Sequence, residues 1–497
     1  MKQLLFLMGL LFGFVAVVNA QHAFQISYET EKDEFIQNSL IDNEGSILLV
    51  GHSGFSLDSI NALILKIAPD GTLQSKRMER QDTVSTFNEV TLLDNGNYFV
   101  SGSYNVGNDF YAMDHFWVVI FDENLEILTE RSYGINEPYV KYGQLHRSIV
   151  NKDREVAVVA TNKRMVNNHL RDDFIMFRFS QQGDSLSSVQ YESGPSAHPN
   201  SFDSIPGTDS LMMIGRGVIN TGQESLNFMD LEMNITSNVN ISDRDGSYRY
   251  TNGNWLSSDE FLMLSNWILD DDKSSEYLFS VFRVNTSGQY LQELQLDRPD
   301  TLEYAAYFTN LVVAPDSLIY VGGFQSYNDV SSTPSYCIIY LIDKDLNLIG
   351  RRDFGGDANY SLRGIEATSD GGCFAYALQT NIHDRWYYEC DVVMWKFLRE
   401  DFEIITRLTD QPAMALNSKA WPNPANDVLH ISLDGLPTGS DFRLQIYNTA
   451  GQKYFDKALT VTAKSVQCRI GVLPAGTYVY QLQTANGQAG SGRFIKQ

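Results

Sequence analysis

A unit of two consecutive β-hairpins recurs along most of this chain, and the repeat constrains the fold more than any other feature. In one unit, the segment Leu92–Gly102 places two apolar strands around an Asp-Asn-Gly turn, and Trp117–Leu128 places two more around an Asp-led turn. Such turns between short alternating strands are typical of β-hairpins. Seven units of this kind follow one another at a spacing of about 55 residues, which is a period of four-stranded repeats.

The repeat predicts an all-β fold, a seven-bladed β-propeller over residues 21–410. A single four-stranded sheet cannot bury both of its faces, so successive sheets stack around an axis and close into a ring. Closure requires a latch, and Phe24–Tyr28 alternates like the fourth strand of a unit. We therefore expect this segment to join the last repeat. The alternative is a pair of packed β-sandwich domains.

The C-terminal 77 residues carry a separate pattern. They open on Trp421-Pro422-Asn423-Pro424-Ala425 and close on a Gly476-Thr477-Tyr478 strand and a final Phe494-Ile495-Lys496. This region resembles the C-terminal sorting domain (type A) of type IX secretion system (Por) cargo proteins of Bacteroidota. The resemblance implies a small Ig-like β-sandwich at 421–497, after a linker at 411–420, that the type IX translocon and sorting machinery recognise. It also implies that the sorting signal includes Pro422, Asn423, Pro424, Gly451, Gly476 and Lys496.

The N-terminus indicates export as well. Lys2 precedes an apolar run that ends in Val18-Asn19-Ala20, the pattern of a secretory signal peptide over 1–20 that is cleaved between Ala20 and Gln21. The alternative, a membrane anchor, needs about 20 apolar residues, and this run is shorter. Both ends therefore predict passage through the periplasm and a protein that is secreted or attached to the outer-membrane surface, with no membrane span in the mature chain.

Charge excludes one class of partner. The formal net charge is −24, yet from Ser418 onward 8 Lys and Arg stand against 4 Asp and Glu, so the repeat region is more acidic than the whole. Such a surface repels phosphate backbones and argues against nucleic-acid binding. Solubility of an exported protein explains the acidity equally well.

The four cysteines match no zinc or redox spacing. We expect buried free thiols, and the alternative is a disulfide between Cys337 and Cys390 across neighbouring blades.

One face of the predicted ring carries the long links between second and third strands, including Arg164–Asp172 and Thr380–Glu389. Binding residues concentrate on loops that a rigid scaffold holds, and these links combine carboxylates with aromatic side chains that suit sugars or basic peptides. The alternative is ordinary solvated loops with aromatic side chains packed on the rim. The candidate ligand-binding residues are Asp109, Phe110, Tyr111, Asp114, Tyr327, Asp384, Trp386, Tyr387 and Tyr388. The repeat region also resembles extracellular bacterial β-propellers with an Asp-Gly-Gly-Tyr motif, through Asp370-Gly371-Gly372-Cys373.

No catalytic motif is found, so no catalytic residue, metal ligand or cofactor is assigned. Asp343–Asn347 is similar to a calcium loop but lacks its glycine and terminal glutamate, and Asp270–Asp272 offers a second weak calcium alternative. The sequence therefore predicts a surface binding module for a glycan, peptide or protein. An extracellular propeller hydrolase or lyase that acts on polysaccharide or peptide is the alternative.

Overall fold

The structure is a computed structural model. It describes residues 23–54, 59–79, 83–106, 113–134, 140–166, 169–191, 193–218, 224–241, 247–269, 276–296, 303–325, 334–384, 387–404, 418–433, 439, 441–448, 453–484 and 489–497. The predicted signal peptide with its cleavage site at Ala20 and Gln21, and most of the predicted linker, lie outside these residues. The chain divides into two compact units, Met1–Ile404 and Ile405–Gln497.

Strands account for nearly all the regular structure of the described residues, where the helical content is one 3-10 turn at Arg399–Asp401. The prediction of an all-β fold is confirmed. No helix in the described part of the chain is long and apolar enough to cross a bilayer.

The first four sheets of the N-terminal unit each consist of four consecutive strands. Their bounds are β2 (Asp33–Ile41), β3 (Ile47–Gly54), β4 (Asn61–Ile67) and β5 (Leu73–Met78) in sheet 1; β6 (Thr83–Leu92), β7 (Tyr98–Val106), β8 (His115–Phe121) and β9 (Ile127–Gly134) in sheet 2; β10 (Val140–Val150), β11 (Val156–Val166), β12 (His169–Phe179) and β13 (Ser185–Tyr191) in sheet 3; and β14 (Ser193–Ser204), β15 (Leu211–Val218), β16 (Glu224–Met229) and β17 (Ile235–Asn240) in sheet 4.

Three more sheets contain the remaining described strands of the unit. Their bounds are β18 (Ser247–Trp255), β19 (Glu260–Leu269), β20 (Glu276–Asn285) and β21 (Tyr290–Gln295) in sheet 5; β22 (Glu303–Ala305), β23 (Leu311–Val313), β24 (Ile319–Gln325), β25 (Tyr336–Ile342), β26 (Leu348–Gly355) and β30 (Glu403–Ile404) in sheet 6; and β27 (Asn359–Ala367), β28 (Cys373–Asp384), β29 (Tyr387–Phe397) and β1 (Phe24–Tyr28) in sheet 7.

The sheets pack one upon the next and return to the start. From β2 against β6 through to β27 against β2, the first strand of each sheet contacts the first strand of the next. In sheet 6 the inner position is divided between β22 and β23, and β23 contacts β18 and β27. Apolar clusters fill each junction. Val50 of sheet 1 packs with Trp117 of sheet 2, and Leu49 of sheet 1 packs with Tyr376 of sheet 7. We call these first strands the inner strands, because they form the innermost circle of contacts.

The segment at the start of the described chain closes this circle. β1 pairs antiparallel with β29, from Phe24 opposite Lys396 to Tyr28 opposite Val392. Its alternate side chains, with Ile26 at the centre, pack on the cluster that sheets 7 and 1 share. The prediction that this segment joins the last repeat is confirmed.

All four cysteines are buried as free thiols, in agreement with the expectation. Desolvation by burial raises the pKa of Cys390 to about 12, which keeps this thiol protonated and unreactive at neutral pH.

The C-terminal unit is built from two sheets around one core. One sheet contains β31 (Ala420–Trp421), β32 (Val428–Ser432) and β35 (Ser465–Arg469); the other contains β33 (Asp441–Asn448), β34 (Lys453–Thr460), β36 (Gly476–Thr484) and β37 (Ala489–Lys496). Leu429, Ile431, Leu444 and Phe494 lie in their shared core. Alternation of these apolar residues with polar neighbours explains why each strand buries one face.

Candidate functional site

The connections of each sheet fall on two opposite faces of the N-terminal unit. Asp33 at the start of β2 lies opposite Gly54 at the end of β3, and Ala62, the second residue of β4, lies opposite Met78 at the end of β5. The β3–β4 link and the connections between sheets therefore share one face, which we call the link face. The tight hairpin turns lie on the other, the turn face.

The turn face uses its polar groups internally. Asp42 Oδ1 accepts hydrogen bonds from the backbone N–H groups of Glu44 (2.9 Å) and Ser46 (2.8 Å). Asp343 Oδ1 does the same for Asp345 (2.9 Å) and Asn347 (2.8 Å). These carboxylates stabilise their own turns, as aspartate does in Asx turns, so the resemblance of the Asp343 segment to a calcium loop has a local structural explanation.

Among the described residues, no group of three or more His, Cys, Asp or Glu side chains is placed to hold a metal ion. The weak calcium alternative at Asp270–Asp272 falls outside them.

The link face differs from the prediction in two sheets. The segments Arg164–Asp172 and Thr380–Glu389, predicted as loops, are largely β-hairpin. Pairing continues to Val166 opposite His169 in sheet 3 and to Asp384 opposite Tyr387 in sheet 7. Apolar and aromatic residues within these segments favour strand. Backbone hydrogen bonds between the two strands stabilise each hairpin although the segments also contain polar residues.

Three such hairpins extend beyond their sheets at the link face, and we call them the arms. In sheet 7 the inner strand β27 ends its pairing with β28 at Asn359 opposite Thr380, whereas β28 and β29 remain paired to Asp384. The arms are β28–β29, β11–β12 and β19–β20. The last two extend less far: β11–β12 pairing passes Arg164, where β10 pairing ends, by two residues, and β19–β20 pairing passes Ile268, where β18 pairing ends, by the single pair Leu269–Glu276.

The predicted ligand-binding residues distribute unevenly over this face. Asp384, Tyr387 and Tyr388 lie on the sheet 7 arm. The prediction that they lie in a loop is wrong, but the arm is on the link face, as predicted. Asp114 precedes β8, and its Oδ1 lies 2.6 Å from His115 Nδ1. The other candidates, Asp109, Phe110, Tyr111, Tyr327 and Trp386, lie outside the described residues.

A set of polar side chains on the inner strands was missed by the sequence reasoning. Asn38 Nδ2 donates to Glu89 Oε2, Arg147 Nη1 lies 3.5 Å from the same carboxylate oxygen, and Ser39 Oγ donates to Glu366 Oε1 at 2.6 Å. These five residues come from sheets 1, 2, 3 and 7, and we call them the inner polar cluster. They connect four inner strands across the innermost part of the unit.

Burial dominates the electrostatics of this cluster. Desolvation raises the pKa of Glu89 to about 7, although Arg147, Asn38 and the Ser148 backbone all favour its charged form. Desolvation also raises the pKa of Glu366 to about 7, opposed by the hydrogen bond from Ser39. Glu34, near the link-face end of β2, has a pKa of about 7 for the same reason, while Thr30 and Ser53 donate to its Oε1.

A signal for the cluster was present in the sequence. β-Bulges interrupt the pairing of inner strands with their neighbours, for instance between Ile36 and Asn38 and between Phe87 and Glu89. A bulge re-aims the side chain that follows it. In the sequence, the bulges are indicated only by polar residues within otherwise apolar first strands, such as Asn38 and Glu89. A charged residue alone does not identify a bulge.

In the C-terminal unit, the structure brings the predicted signal residues from both ends of the region together. Asn423 Oδ1 accepts a hydrogen bond of 2.9 Å from the Ile495 backbone N–H. Ala425 forms a β-bridge with Lys496, and Gly476 pairs with Lys496. Pro422 and Pro424 flank Asn423 in cis peptide linkages, whereas Gly451 lies outside the described residues.

Comparison with known families identifies this region. Residues 419–497 match the family model of a secretion system C-terminal sorting domain. The match agrees with the resemblance seen in the sequence and indicates a cargo of the type IX secretion system, exported to the cell surface or released, that interacts with the type IX machinery.

The N-terminal unit has distant structural likenesses. The β-propeller domain of the Trilobed protease from Pyrococcus furiosus is 10% identical, with a TM-score of 0.38, over 76% of this chain and 96% of that domain. An apocarotenoid oxygenase from Synechocystis is 9% identical, with a TM-score of 0.39, over 76% and 93%. A luciferin-regenerating enzyme is 7% identical, with a TM-score of 0.38, over 76% and 96%. Likenesses at this level assign no activity.

No curated protein matches the chain.

Proposed function

We propose that this protein is an exported seven-bladed β-propeller that binds an extracellular glycan, peptide or protein through its link face. A C-terminal Ig-like β-sandwich serves as its type IX sorting domain. The circle of inner-strand contacts from β2 back to β2 supports a ring of seven blades, and the sorting-domain match supports a location outside the cell.

The arms are the observation that carries the binding proposal. Sheets 3, 5 and 7 each extend a paired hairpin on the link face, whereas the turn face ends in short turns such as the one at Asp42, which bonds its own backbone. A rigid ring that presents backbone-paired arms on one face holds a recognition surface in place at little entropic cost.

A binding screen tests this proposal. The mature chain, residues 21–497, is applied to glycan and peptide arrays beside a Tyr387→Ala, Tyr388→Ala variant. The control is Leu186→Ala, Leu291→Ala, which alters side chains that are 50% and 47% exposed on outer strands. We expect a ligand that the arm variant loses and the control retains. Equal binding by all three proteins would contradict a role for the sheet 7 arm.

The hydrolase or lyase alternative draws on one observation. Glu89 and Glu366 have pKa values of about 7, the range in which a carboxyl group can serve as a general acid at neutral pH. Both are hydrogen-bonded within the scaffold, which favours a structural role. Turnover of an array ligand that Glu89→Gln and Glu366→Gln both abolish would instead establish the enzyme.

A further inference from the structure

Arg363 lies on the inner strand of sheet 7, where a bulge interrupts the pairing of β27 with β28 between Leu362 and Gly364. Its guanidinium carbon is 4.8 Å from the ring centre of Tyr307 and 5.3 Å from that of Phe308. Both rings belong to the bend between β22 and β23, which interrupts the inner strand of sheet 6. The cation therefore sits against two aromatic faces at the junction of sheets 6 and 7.

The charge of this guanidinium is not balanced by a carboxylate of the described residues, and its Nε is buried without a hydrogen-bond partner among them. Two other partly buried arginines in the unit do have carboxylate partners. Arg147 has Glu89, and Arg351 has Glu303 at 3.3 Å. Desolvation by burial lowers the pKa of Arg363, and the groups that oppose this shift are Tyr307, Tyr376 and Cys390, none of which is a carboxylate.

A partly buried cation without a carboxylate partner is costly. Cation–π contact with two rings offsets part of that cost. The remaining free-energy cost of the unpaired charge is offset if an anion binds from solution, because a guanidinium pairs with a carboxylate through two parallel hydrogen bonds.

The aromatic side chains near Arg363 restrict the kind of molecule that can carry this anion. Tyr304, Phe324 and Tyr307 form a continuous stack, with successive ring centres 5.6 Å apart. Tyr307 at its end is 39% exposed, so solvent reaches the ring that contacts Arg363. A flat aromatic surface beside a cation fits a ring-shaped ligand with an apolar face and a carboxylate.

We propose that Arg363, Tyr307 and Phe308 form a binding site for the carboxylate of an acidic saccharide such as a uronate. Arg363 pairs with the carboxylate, and Tyr307 packs against the sugar ring. This site lies on the inner strands of sheets 6 and 7, apart from the arms, and it does not depend on the link-face proposal. The protein's net charge of −24 disfavours anions in general, so binding at this site relies on the stacking contact as well as on the charge pair.

The test is isothermal titration calorimetry of the mature chain with trigalacturonate and with neutral galactotriose. We expect trigalacturonate to bind and galactotriose not to bind. Arg363→Gln should weaken trigalacturonate binding by roughly tenfold or more, the loss expected for a charge-assisted pair. The matched control is Arg352→Gln. Arg352 also lies over a ring, Phe397 at 5.7 Å, and its Nε likewise lacks a partner among the described residues, but its Nη1 donates to the Asp401 carbonyl at 3.2 Å. This control should bind as the wild type does.

Two further measurements keep the result decisive if Arg363→Gln fails to fold. Tyr307→Leu retains the cation and should still weaken binding severalfold, and trigalacturonate should raise the Tm of the wild-type protein while galactotriose leaves it unchanged. The proposal is overturned if the wild type ignores trigalacturonate, if Arg363→Gln binds it as well as the wild type, or if galactotriose binds equally. Binding of a peptide C-terminus in its place would also overturn it. None of these results would affect array binding that depends on the arms. Failure of the acidic-saccharide site can therefore be distinguished from failure of the link-face proposal.

Discussion

Ser39 Oγ donates a hydrogen bond of 2.6 Å to the carboxylate of Glu366, across 327 positions of the chain. The two residues lie on the inner strands of sheets 1 and 7, so this bond spans the junction at which the circle of sheets closes. It lies beside the apolar cluster shared by the same two sheets, which includes Leu49 and Tyr376. Closure therefore relies on a buried polar contact on the inside and on the edge pairing of β1 on the outside.

The Glu366 carboxyl makes stability depend on pH. Burial raises its pKa from the ordinary 4.5 to about 7, so the folded protein retains this proton to a higher pH than the unfolded chain does. Its stabilising contribution is complete below about pH 4.5 and is lost as the pH rises to about 7. We expect the Tm of the wild type to fall between pH 5 and pH 8. The fall should be smaller in Glu366→Gln, by the equivalent of about 2–3 kcal/mol.

The control for this measurement is Glu123→Gln, which changes an exposed carboxylate at the turn face. It should follow the wild-type curve. Some dependence should persist in Glu366→Gln because Glu34 and Glu89 also have raised pKa values. A Glu366→Gln protein with the full wild-type slope would mean that Glu366 is ionised in the folded protein throughout this range.

The strand β1, which closes the circle of sheets, should contribute to stability through only one of its two faces. Ile26 packs on the cluster of sheets 7 and 1, whereas the neighbouring Gln25 is exposed. Ile26→Asp places a charge against apolar side chains and should cost about 2 kcal/mol or more, with a clear fall in Tm by circular dichroism. Gln25→Asp occupies the solvent side of an edge strand, where charge is tolerated, and should change stability by less than about 0.5 kcal/mol. Equal effects of the two substitutions would show that β1 does not close the ring.

The hairpin pattern predicted most of the fold because it is local. Asp42 and Asp343 identify turns through hydrogen bonds to residues two and four positions away, and such short-range chemistry is visible in a sequence. The latch was predictable because Phe24–Tyr28 resembles a fourth strand. The arms were not predicted, because the polar residues within Arg164–Asp172 favour a loop while its apolar residues favour strand, and the backbone pairing that decides between them is not visible in the sequence. The inner polar cluster was missed because Ser39 and Glu366 meet only when the ring closes, and Arg363 faces Tyr307 and Phe308 only through a bulge in one sheet and a bend in the next.

Above about pH 7, where the Glu89 carboxyl is ionised, the Glu89–Arg147 pair should behave as a buried ion pair. Their side chains are only 8% and 16% exposed, so removing one partner leaves the other without compensation. Glu89→Leu should cost about 3–5 kcal/mol in the free energy of unfolding. The double variant Glu89→Leu, Arg147→Leu should cost less than the sum of the single changes. The matched surface pair is Lys152–Asp209, with side chains 66% and 67% exposed, where Asp209→Asn should cost no more than about 1 kcal/mol. Additive single changes at Glu89 and Arg147 in urea unfolding would show that the two charges do not interact.

The Asn423 side chain should link the stability of the C-terminal unit to export. Its Oδ1 accepts the Ile495 backbone N–H at 2.9 Å, which ties the start of the region to its last strand beside Lys496. Asn423→Ala leaves that N–H without its partner and should destabilise the unit by about 0.5–1.5 kcal/mol. If the translocon recognises the folded unit, the exported fraction should fall, as measured by immunoblotting of cell and culture-medium fractions. Val472→Ala is the control, because this side chain is 91% exposed and its loss should leave both stability and export unchanged. Normal export of a destabilised Asn423→Ala protein would mean that the machinery recognises a feature other than this contact.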